Sequence, residues 1–372
     1  MTLLEDYLKD LEQLVNFEAG TSNPEGVTQA AQYMKKLYDS IGFSTELVDL
    51  GPEVGRGLLA TNKPGAQTYD IMLNGHLDTV FPKGEAARRP FRRDAEKAYG
   101  PGVLDCKAGI LSIFYGIKNA RPEDIKRLSI AVAMNPDEET GSTHSTDWLV
   151  SIGRRAKRVL ICEPARPNGE LVRSRKGSSA YRVDFHGRTA HAGNNPQDGA
   201  NAAVAMMRFA TALYDELNNF ETGTTVNPGV VEGGKIINAI PDHAMVRIDT
   251  RYLSDAEGRR VGERIAALAA QTWVKGVTAA VKREFWIPAM PLSDNAKELD
   301  QLLTKAAAMA GFEARFVDAG GAADGNHIAE FGVPVCDGCG PAGDNMHTDR
   351  EFLTLRSVEP AVKMQSNLYS LI

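Results

Sequence analysis

Histidines and carboxylates recur along the chain close to the ends of predicted strands. His76 and Asp78 form an HxD pair behind the apolar residues IML, and Glu138 and Glu139 are adjacent in NPDEETGS. The other members of this set are Asp105 in GPGVLDCKAG, Glu163 in ICEPAR and His347 in GDNMHTDREF. Imidazoles and carboxylates with no thiolate among them suit divalent zinc, manganese or cobalt. The residue types therefore predict a metal site assembled from distant segments.

The two acidic motifs predict different roles for neighbouring side chains. In an HxD pair the carboxylate accepts the proton of one imidazole nitrogen and leaves the other nitrogen to bind metal. We therefore interpret Asp78 as the residue that orients His76. Two adjacent carboxylates repel each other unless a cation neutralises them. Since neighbours in a loop can point differently, one of Glu138 and Glu139 can bind metal while the other faces the substrate as a base.

The elements predicted around these residues alternate between helices and buried strands. Helical periodicity covers 3–16, 27–42 and 107–119, and strands are predicted at 69–74 and, as a continuous apolar segment, at 128–135. This alternation is typical of an α/β layer with a mostly parallel sheet. Ligands of such sheets bind at the carboxyl ends of the strands, which is where the candidate residues lie.

The sequence pattern changes near residue 172, where polar and apolar residues begin to alternate as in antiparallel strands. Up to about residue 285 the predicted order is strand, helix, two strands, helix, strand, which describes a compact α+β module. We therefore predict an α/β fold in which residues 1–174 and 287–372 form an α/β/α catalytic domain. An α+β domain at 175–286 interrupts it.

Composition excludes several functional classes. The net charge is −6, which argues against a nucleic-acid partner because such surfaces are basic. The chain has no run of about 18 apolar residues, so we expect no membrane span, and its acidic N-terminus does not resemble a signal peptide. Four cysteines provide no disulfide framework, and Cys336 and Cys339 are interpreted as reduced thiols in a turn. We expect a cytoplasmic protein.

In their order and spacing, NGHLDTV, GPGVLDCKAG, DEETGS, CEP and MHTDREF resemble the motifs of the di-zinc peptidase and deacylase family. This family includes glutamate carboxypeptidase of the carboxypeptidase G type, acetylornithine deacetylase, succinyl-diaminopimelate desuccinylase, aminoacylase and peptidase T. The resemblance covers nearly the whole chain, including the inserted module, which in the family is a lid that usually dimerises. One departure is CKAG, where the family commonly has Met-Lys-Gly-Gly.

The resemblance implies a role for each residue of the metal site. Two divalent ions are expected, with zinc preferred and cobalt or manganese as alternatives. The expected ligands are His76 and Glu163 for one ion, Glu139 and His347 for the other, and Asp105 as a bridge between them. Glu138 would be the general base, and the peptide bond between Asp105 and Cys106 would be cis.

Within the inserted domain the resemblance implies further site residues. His191 in GRTAHAG would act at an active site, commonly that of the partner subunit of a homodimer. Asn238 in INAIPD and Arg251 in DTRY would help bind a substrate carboxylate, and Gly321 in GGAADG would line the pocket. We expect the dimer surface within about 175–285, where AAVAMMRFATAL offers apolar residues and a strand within 204–237 offers an edge.

Amide hydrolysis next to a free carboxylate is the activity that the resemblance implies, by metal-activated water with Glu138 as base. A carboxypeptidase that releases a C-terminal amino acid such as glutamate is preferred, and a deacylase of N-acyl amino acids is the alternative. Both share the metal chemistry, so the substrate would be a peptide or an N-acyl amino acid. A non-catalytic metal-dependent binding protein is disfavoured because Glu138 is present.

Overall fold

The computed structural model describes residues 2–372. The helices are α1 (Leu3–Val15), α2 (Pro24–Ser40), α3 (Glu85–Arg88), α4 (Lys107–Lys118), α5 (Pro122–Arg127), α6 (Thr146–Gly153), α7 (Ala202–Leu217), α8 (Asp255–Ala269), α9 (Asp294–Met309), α10 (Asp324–Ala329) and α11 (Val358–Leu371). The strands are β1 (Ser44–Val48), β2 (Gly57–Thr61), β3 (Ile71–His76), β4 (Arg92–Arg93), β5 (Lys97–Tyr99), β6 (Ile130–Asn135), β7 (Val159–Ile161), β8 (Leu171–Arg175), β9 (Gly177–His186), β10 (Thr225–Gly233), β11 (His243–Tyr252), β12 (Thr278–Ile287), β13 (Phe316–Ala319), β14 (Val335–Cys336), β15 (Gly343–Asp344) and β16 (Phe352–Thr354).

The chain divides into two compact units. The first contains residues 2–174, Leu292–Ala319 and Ala323–Ile372, and the second contains Arg175–Pro291 and Gly320–Ala322. The second unit extends beyond residue 286 because β12 continues to Ile287 and the Met290 backbone pairs with Arg175. That this unit acts as a lid and as a dimerisation domain stays a prediction.

A six-stranded sheet forms the centre of the first unit, in the order β1-β2-β6-β3-β7-β14. The pairs β6–β3, β3–β7 and β7–β14 are parallel, whereas β1 and β2 pair antiparallel at one edge. The α/β class with a mostly parallel sheet is therefore confirmed. Every residue of β3 and β6 is buried, as expected for strands covered on both faces.

Helix α4 packs so closely on this sheet that its sequence is restricted. A Cβ atom at Gly109 would lie 1.8 Å from the carbonyl oxygen of Cys162, behind β7, so no side chain fits there. Ala108, which stands where the family commonly has glycine, is fully buried and is accommodated. CKAG therefore differs from the common family sequence at Ala108 but keeps Gly109, the glycine that the close contact with Cys162 requires.

Among the parts of the first unit that were not predicted, two are relevant here. One is a small sheet, in the order β15-β16-β5-β4, whose strands are only two or three residues long. Such short strands contain no measurable periodicity, so sequence patterns do not reveal them. The other is α11, which packs against α4 and α9 and buries Leu368 and Tyr369.

The second unit has its own core and an antiparallel sheet in the order β10-β11-β9-β12. Helices α7 and α8 cover one face of this sheet. The apolar segment AAVAMMRFATAL lies in α7, and its residues Ala205, Met206 and Phe209 are buried in this unit's own core. Only the outer face of the segment, which includes Met207, is exposed and could contribute to a dimer surface, and the dimer itself stays a prediction.

Among the helices of residues 2–372, none has the combination of length and apolar character that a membrane span needs. Cys336 and Cys339 are free thiols and both are buried.

Asp300 on α9 provides a test of how burial shapes stability. Its Oδ1 atom is buried and has no hydrogen-bond partner within residues 2–372, and burial raises the pKa of this carboxyl to about 6. Folded protein therefore binds more protons than unfolded protein between about pH 4 and 6, so stability falls as the pH rises through this window. Above pH 6 we expect Asp300→Asn to stabilise the protein by on the order of 1 kcal/mol. This is less than the pKa difference alone would give, because the side chain is half-exposed and solvent screens its charge.

Thermal unfolding between pH 4 and pH 8 measures this effect. The gain from Asp300→Asn should disappear near pH 4, where the folded and the unfolded carboxyl are both becoming protonated. Glu298→Gln, on an exposed position of the same helix, is the control and should show no such pH-dependent gain. An equal melting temperature for Asp300→Asn and wild type at all pH values would contradict the assignment.

Candidate metal centre

Three neighbouring strands bring the predicted site residues to one edge of the central sheet. His76 is the last residue of β3, and the turn with Glu138 and Glu139 follows β6. Glu163 follows β7, which lies on the other side of β3. Because β6, β3 and β7 are parallel, their carboxyl ends meet at this edge.

Asp105 lies between two groups that each combine a histidine with a glutamate. Its Oδ1 is 3.0 Å from Nε2 of His76, and this nitrogen is 3.4 Å from Oε1 of Glu163. Its Oδ2 is 3.1 Å from Nε2 of His347, which is 3.3 Å from Oε2 of Glu139. One carboxylate thus contributes one oxygen to each group. The peptide bond from Asp105 to Cys106 is cis, as the resemblance implies.

The donor set fits divalent cations. Oε1 of Glu139 is buried and has no hydrogen-bond partner among residues 2–372, so an acceptor inside the cluster is left unsatisfied. Ligand atoms of His76, Asp105 and Glu139 lie within 4.8 Å of one another. Four carboxylates and two imidazoles concentrate negative charge at this buried position, and bound cations would offset it.

A thiol also lies close to this cluster. Cys106, His76 and Glu163 place possible ligand atoms within 4.8 Å of one another. The Cys106 thiol is buried and donates to the carbonyl oxygen of Cys162, at 3.2 Å. Since that thiol is already used in a hydrogen bond to the backbone behind β7, we assign Asp105 rather than Cys106 to the centre.

Electrostatics within the cluster show how unfavourable it is without cations. Burial raises the pKa of Glu163 well above its usual range, and the charge of Asp105 raises it further. Burial likewise raises the pKa of Glu138, against the opposing effect of His76. For His76, burial acts to lower the pKa, but nearby carboxylates, Glu163 first, outweigh it and raise the pKa. The hydrogen bond that His347 donates to Asp105, followed by the one to Glu139, raises the pKa of His347 to about 10.

Asp78 holds two parts of the site together. Its Oδ1 is 3.2 Å from Nδ1 of His76, and its backbone carbonyl is 3.0 Å from the same nitrogen. This places the proton of His76 on Nδ1 and leaves Nε2 available to bind an ion. The Asp78 carboxylate also accepts the backbone N–H groups of Glu138 and Glu139, both at 3.2 Å, and the hydroxyl of Thr21 at 2.7 Å.

Buried acids that the sequence analysis did not identify fix the loop of Glu138 and Glu139. Asp137 accepts the backbone N–H of His144 at 2.8 Å and the hydroxyl of Ser145 at 2.5 Å. Asp324 at the start of α10 accepts Nδ2 of Asn135 at 2.7 Å and the hydroxyl of Ser142. Asp137 is the D of DEETGS and Asp324 lies in GGAADG, so both were within motifs already recognised.

Comparison with known proteins agrees with this arrangement. The model of Peptidase family M20/M25/M40 matches residues 72–370. The chain belongs to this family. It is 29% identical to carboxypeptidase G2 of Pseudomonas sp. (strain RS-16) over 372 residues, which cover 97% of this chain and 88% of the relative. It is 25% identical to succinyl-diaminopimelate desuccinylase of Acidovorax ebreus (strain TPSY) over 386 residues, 94% and 93% of the two chains.

A solved structure shows the same fold. The crystal structure of aminopeptidase PepT from Bacillus cereus ATCC 10987 has a TM-score of 0.78 at 21% identity and covers 98% of both chains. As a member of the M20 family, the protein is a metallohydrolase from a metal-dependent family.

The remaining site residues expected for an M20 enzyme lie in the second unit. His191 and Asn238 are close together there, because the backbone at His191 pairs with Ala239 and the Asn238 carbonyl accepts the N–H of Ala192 at 2.9 Å. Arg251, at the far end of β11, donates from Nε to Asp249 at 3.0 Å. Gly321 is exposed and its carbonyl accepts from Arg175 at 3.0 Å.

Two adjacent glutamates give a direct test of this centre. Glu139→Gln should weaken Zn²⁺ binding by more than the roughly 10- to 100-fold that is typical when an outer-shell partner is lost, because it removes a ligand. Glu138→Gln is the matched control and should keep Zn²⁺ affinity near that of wild type. Competition with a chromogenic chelator measures both. Equal affinities for the two variants would contradict the division of roles.

Proposed function

We propose that this M20 enzyme hydrolyses an amide bond next to a free carboxylate, and that it is a carboxypeptidase releasing a C-terminal amino acid such as glutamate. The observation that carries the proposal is the position of Asp105, which shares its two oxygens between two histidine–glutamate groups. This arrangement suits two divalent ions, zinc by preference and cobalt or manganese as alternatives. In the proposal His76 and Glu163 hold one ion, and Glu139 and His347 hold the other.

Such ions, when bound, lower the pKa of a water molecule and polarise the substrate carbonyl. Glu138 supplies the base. Its side chain is partly buried beside the ligand cluster and makes no hydrogen bond or ion pair of its own among the described residues, so it is available to a reactant. It accepts the proton of the attacking water and passes it to the leaving amine.

His191 is suited to donate a hydrogen bond to the oxyanion that forms. Its Nδ1 accepts the backbone N–H groups of Gly193 and Asn194, both at 3.1 Å. A nitrogen that accepts two hydrogen bonds carries no proton, so the proton of the neutral ring lies on Nε2. The exposed Nε2–H is then the donor that a developing negative charge requires.

Arg251 and Asn238 are proposed to bind the substrate carboxylate, with Gly321 lining the pocket. A guanidinium offers a planar, permanently charged set of donors to a carboxylate. Because Nε of Arg251 already donates to Asp249, the substrate would be bound by the two terminal nitrogens. The aspartate keeps the side chain in place before the substrate arrives.

Relatives support two reactions that share this chemistry. The relative with 29% identity is named carboxypeptidase G2. The relatives with 25% and 28% identity are named succinyl-diaminopimelate desuccinylase and acetylornithine deacetylase. We prefer the carboxypeptidase because that relative is 29% identical over 97% of the chain, whereas the desuccinylase is 25% identical over 94% and the acetylornithine deacetylase of Myxococcus xanthus is 28% identical over 69%. A deacylase of N-acyl amino acids is the alternative. Four buried free cysteines support a cytoplasmic location within this proposal.

A substrate panel decides between the two reactions. The zinc-loaded enzyme should release the C-terminal residue from dipeptides ending in glutamate faster than it deacylates N-acetyl or N-succinyl amino acids. Each dipeptide is paired with its C-terminal amide, which should be cleaved poorly if a free carboxylate is required. Glu138→Gln, a variant that keeps the metal, should lose turnover by about 100-fold or more on every substrate. Preference for the N-acyl substrates would favour the deacylase, and full turnover of Glu138→Gln would remove the base from this residue.

We further propose that the enzyme is a homodimer formed through its second unit. Strand β10 is at the edge of that unit's sheet and exposes Val230 and Val231. Ile236 and Ile237 follow it, and the side chain of Ile237 is fully exposed. An uncovered edge strand with apolar residues favours pairing with a second copy.

The dimer has a consequence for His191 that can be measured. If His191 acts in the partner's site, a mixture of His191→Ala and Glu138→Gln subunits should recover activity, since each heterodimer then contains one intact site. Val231→Lys should dissociate the dimer by charging the edge, whereas Ala280→Lys, on β12 at the opposite edge, should not. Sedimentation and activity of the mixtures are the readouts. A fully active monomer, or a mixture with no recovery, would contradict the shared site.

A further inference from the structure

Glu351 is a buried carboxylate whose partners all lie in one distant loop. Its side chain is 1% exposed. Its Oε2 accepts the backbone N–H of Gly102 at 2.9 Å, and its Oε1 accepts those of Leu104 at 2.9 Å and of Asp105 at 3.0 Å. Three amides therefore converge on one anion, and one of them is the amide of Asp105 itself.

The loop that receives Glu351 is shaped for this contact. Gly102 has a φ of 68°, in the left-handed region that glycine adopts without strain, and this turns its N–H toward the carboxylate. On the other side of the loop the buried Lys107 donates to the carbonyl oxygen of Pro101 at 3.0 Å. Successive backbone amides around one anion form a concave site that is held by charge-assisted hydrogen bonds.

Glu351 also belongs to the segment that carries His347. Both lie in MHTDREF, between β15 and β16, and the backbone N–H of Glu351 donates to Thr348 at 3.3 Å. The carboxylate thus connects the loop of Asp105 with the loop of His347. These two loops are far apart in the sequence, and neither extends from the strand ends of β3, β6 and β7 that position the other proposed ligands.

We propose that Glu351 is a positioning residue that holds the Asp105 loop against the His347 loop and so sets the affinity and geometry of the metal centre. The inference rests on the metal centre described above and adds a residue that touches neither ion nor substrate. A glutamine in its place keeps the volume but has one oxygen, and its amide group would face a backbone donor. The loop amides would then lose their shared acceptor, and Asp105 would no longer be held between the two histidines.

Glu18 provides a chemically matched control. Its carboxylate also accepts three backbone amides, from Gly84 at 2.8 Å, Ala86 at 3.3 Å and Ala87 at 3.0 Å. That loop carries no proposed ligand. Glu18→Gln therefore removes the same kind of contact, but the amides that lose their acceptor belong to residues 84–87 and not to the Asp105 or His347 loop.

The test uses the full chain, stripped of metal by a chelator and titrated with Zn²⁺ against a chromogenic competitor. Zn²⁺ affinity should fall about 10- to 100-fold in Glu351→Gln, as is typical when a residue that orients a ligand is lost, and stay at the wild-type value in Glu18→Gln. The melting temperatures of the two metal-free variants should be similar. The visible spectrum of the Co²⁺ form should change in Glu351→Gln, because the ligand geometry changes. Glu351→Asp, which keeps the charge on a shorter side chain, should bind Zn²⁺ with intermediate affinity.

Two results would overturn the inference. One is a Zn²⁺ affinity and Co²⁺ spectrum in Glu351→Gln equal to those of Glu18→Gln. If Glu351→Gln does not fold, the second result is a Zn²⁺ affinity in Glu351→Asp equal to that of wild type. Asp105→Asn separates this inference from the metal centre itself. If Asp105→Asn binds Zn²⁺ like wild type, the centre is wrong. If it loses Zn²⁺ while Glu351→Gln retains it, only the role of Glu351 fails.

Discussion

The structure depends on an excess of negative charge that is concentrated at one edge of a sheet. Four carboxylates, of Asp105, Glu138, Glu139 and Glu163, share this edge with the imidazoles of His76 and His347. In a buried site such charges are costly unless they are paired. Without a cation the cluster can relieve the repulsion only by taking up protons, which is the direction of the raised pKa values of Glu138, Glu163 and His76. The two divalent ions of the proposed centre would relieve it while leaving the carboxylates ionised, and metal binding would then stabilise the folded edge.

The fold places these charges by two different means. Parallel pairing of β6, β3 and β7 brings His76, Glu163 and the Glu138–Glu139 turn together, since the register of the sheet determines where each strand ends. The loops of Asp105 and His347 do not extend from these strands. Around the site, buried acids hold loops in place by accepting their backbone amides. Asp78 receives the amides of Glu138 and Glu139, and Glu351 receives the amide of Asp105. Some carboxylates therefore point into the proposed metal centre. Others accept the backbone amides of the loops that carry those carboxylates.

Much of this could be predicted from sequence because the motifs are local. HxD, DEETGS and CEP each lie directly behind an apolar strand, so strand prediction and residue type together located His76, Glu139 and Glu163. The limits of the prediction were set by contacts between distant residues. Glu351 and Gly102 are separated by most of the chain, and nothing in the residues around Glu351 distinguishes a buried acceptor from a surface acid. The short strands of the β15-β16-β5-β4 sheet likewise exist only through pairing across the fold. The inward packing of α7 was not predictable for the same reason, because contacts with the sheet of its own unit determine which of its faces is buried.

Glu138 and Glu139 show how a local turn can separate two chemical tasks. Residues Glu138–Thr140 form a single 3₁₀ turn, followed by Gly141 and Ser142 with positive φ angles of 84° and 53°. Asp78 binds the amides of both glutamates, so their backbones are fixed while their side chains diverge. Glu139 turns toward His347, whereas the Glu138 carboxylate has no hydrogen bond or ion pair of its own in the described part of the chain. Ser142 is held in its strained conformation by Asp324, a residue from the far end of the first unit. Buried hydrogen bonds that hold the turn thus give two adjacent glutamates different surroundings, and this difference is the structural basis for the separate roles of ligand and base proposed for them.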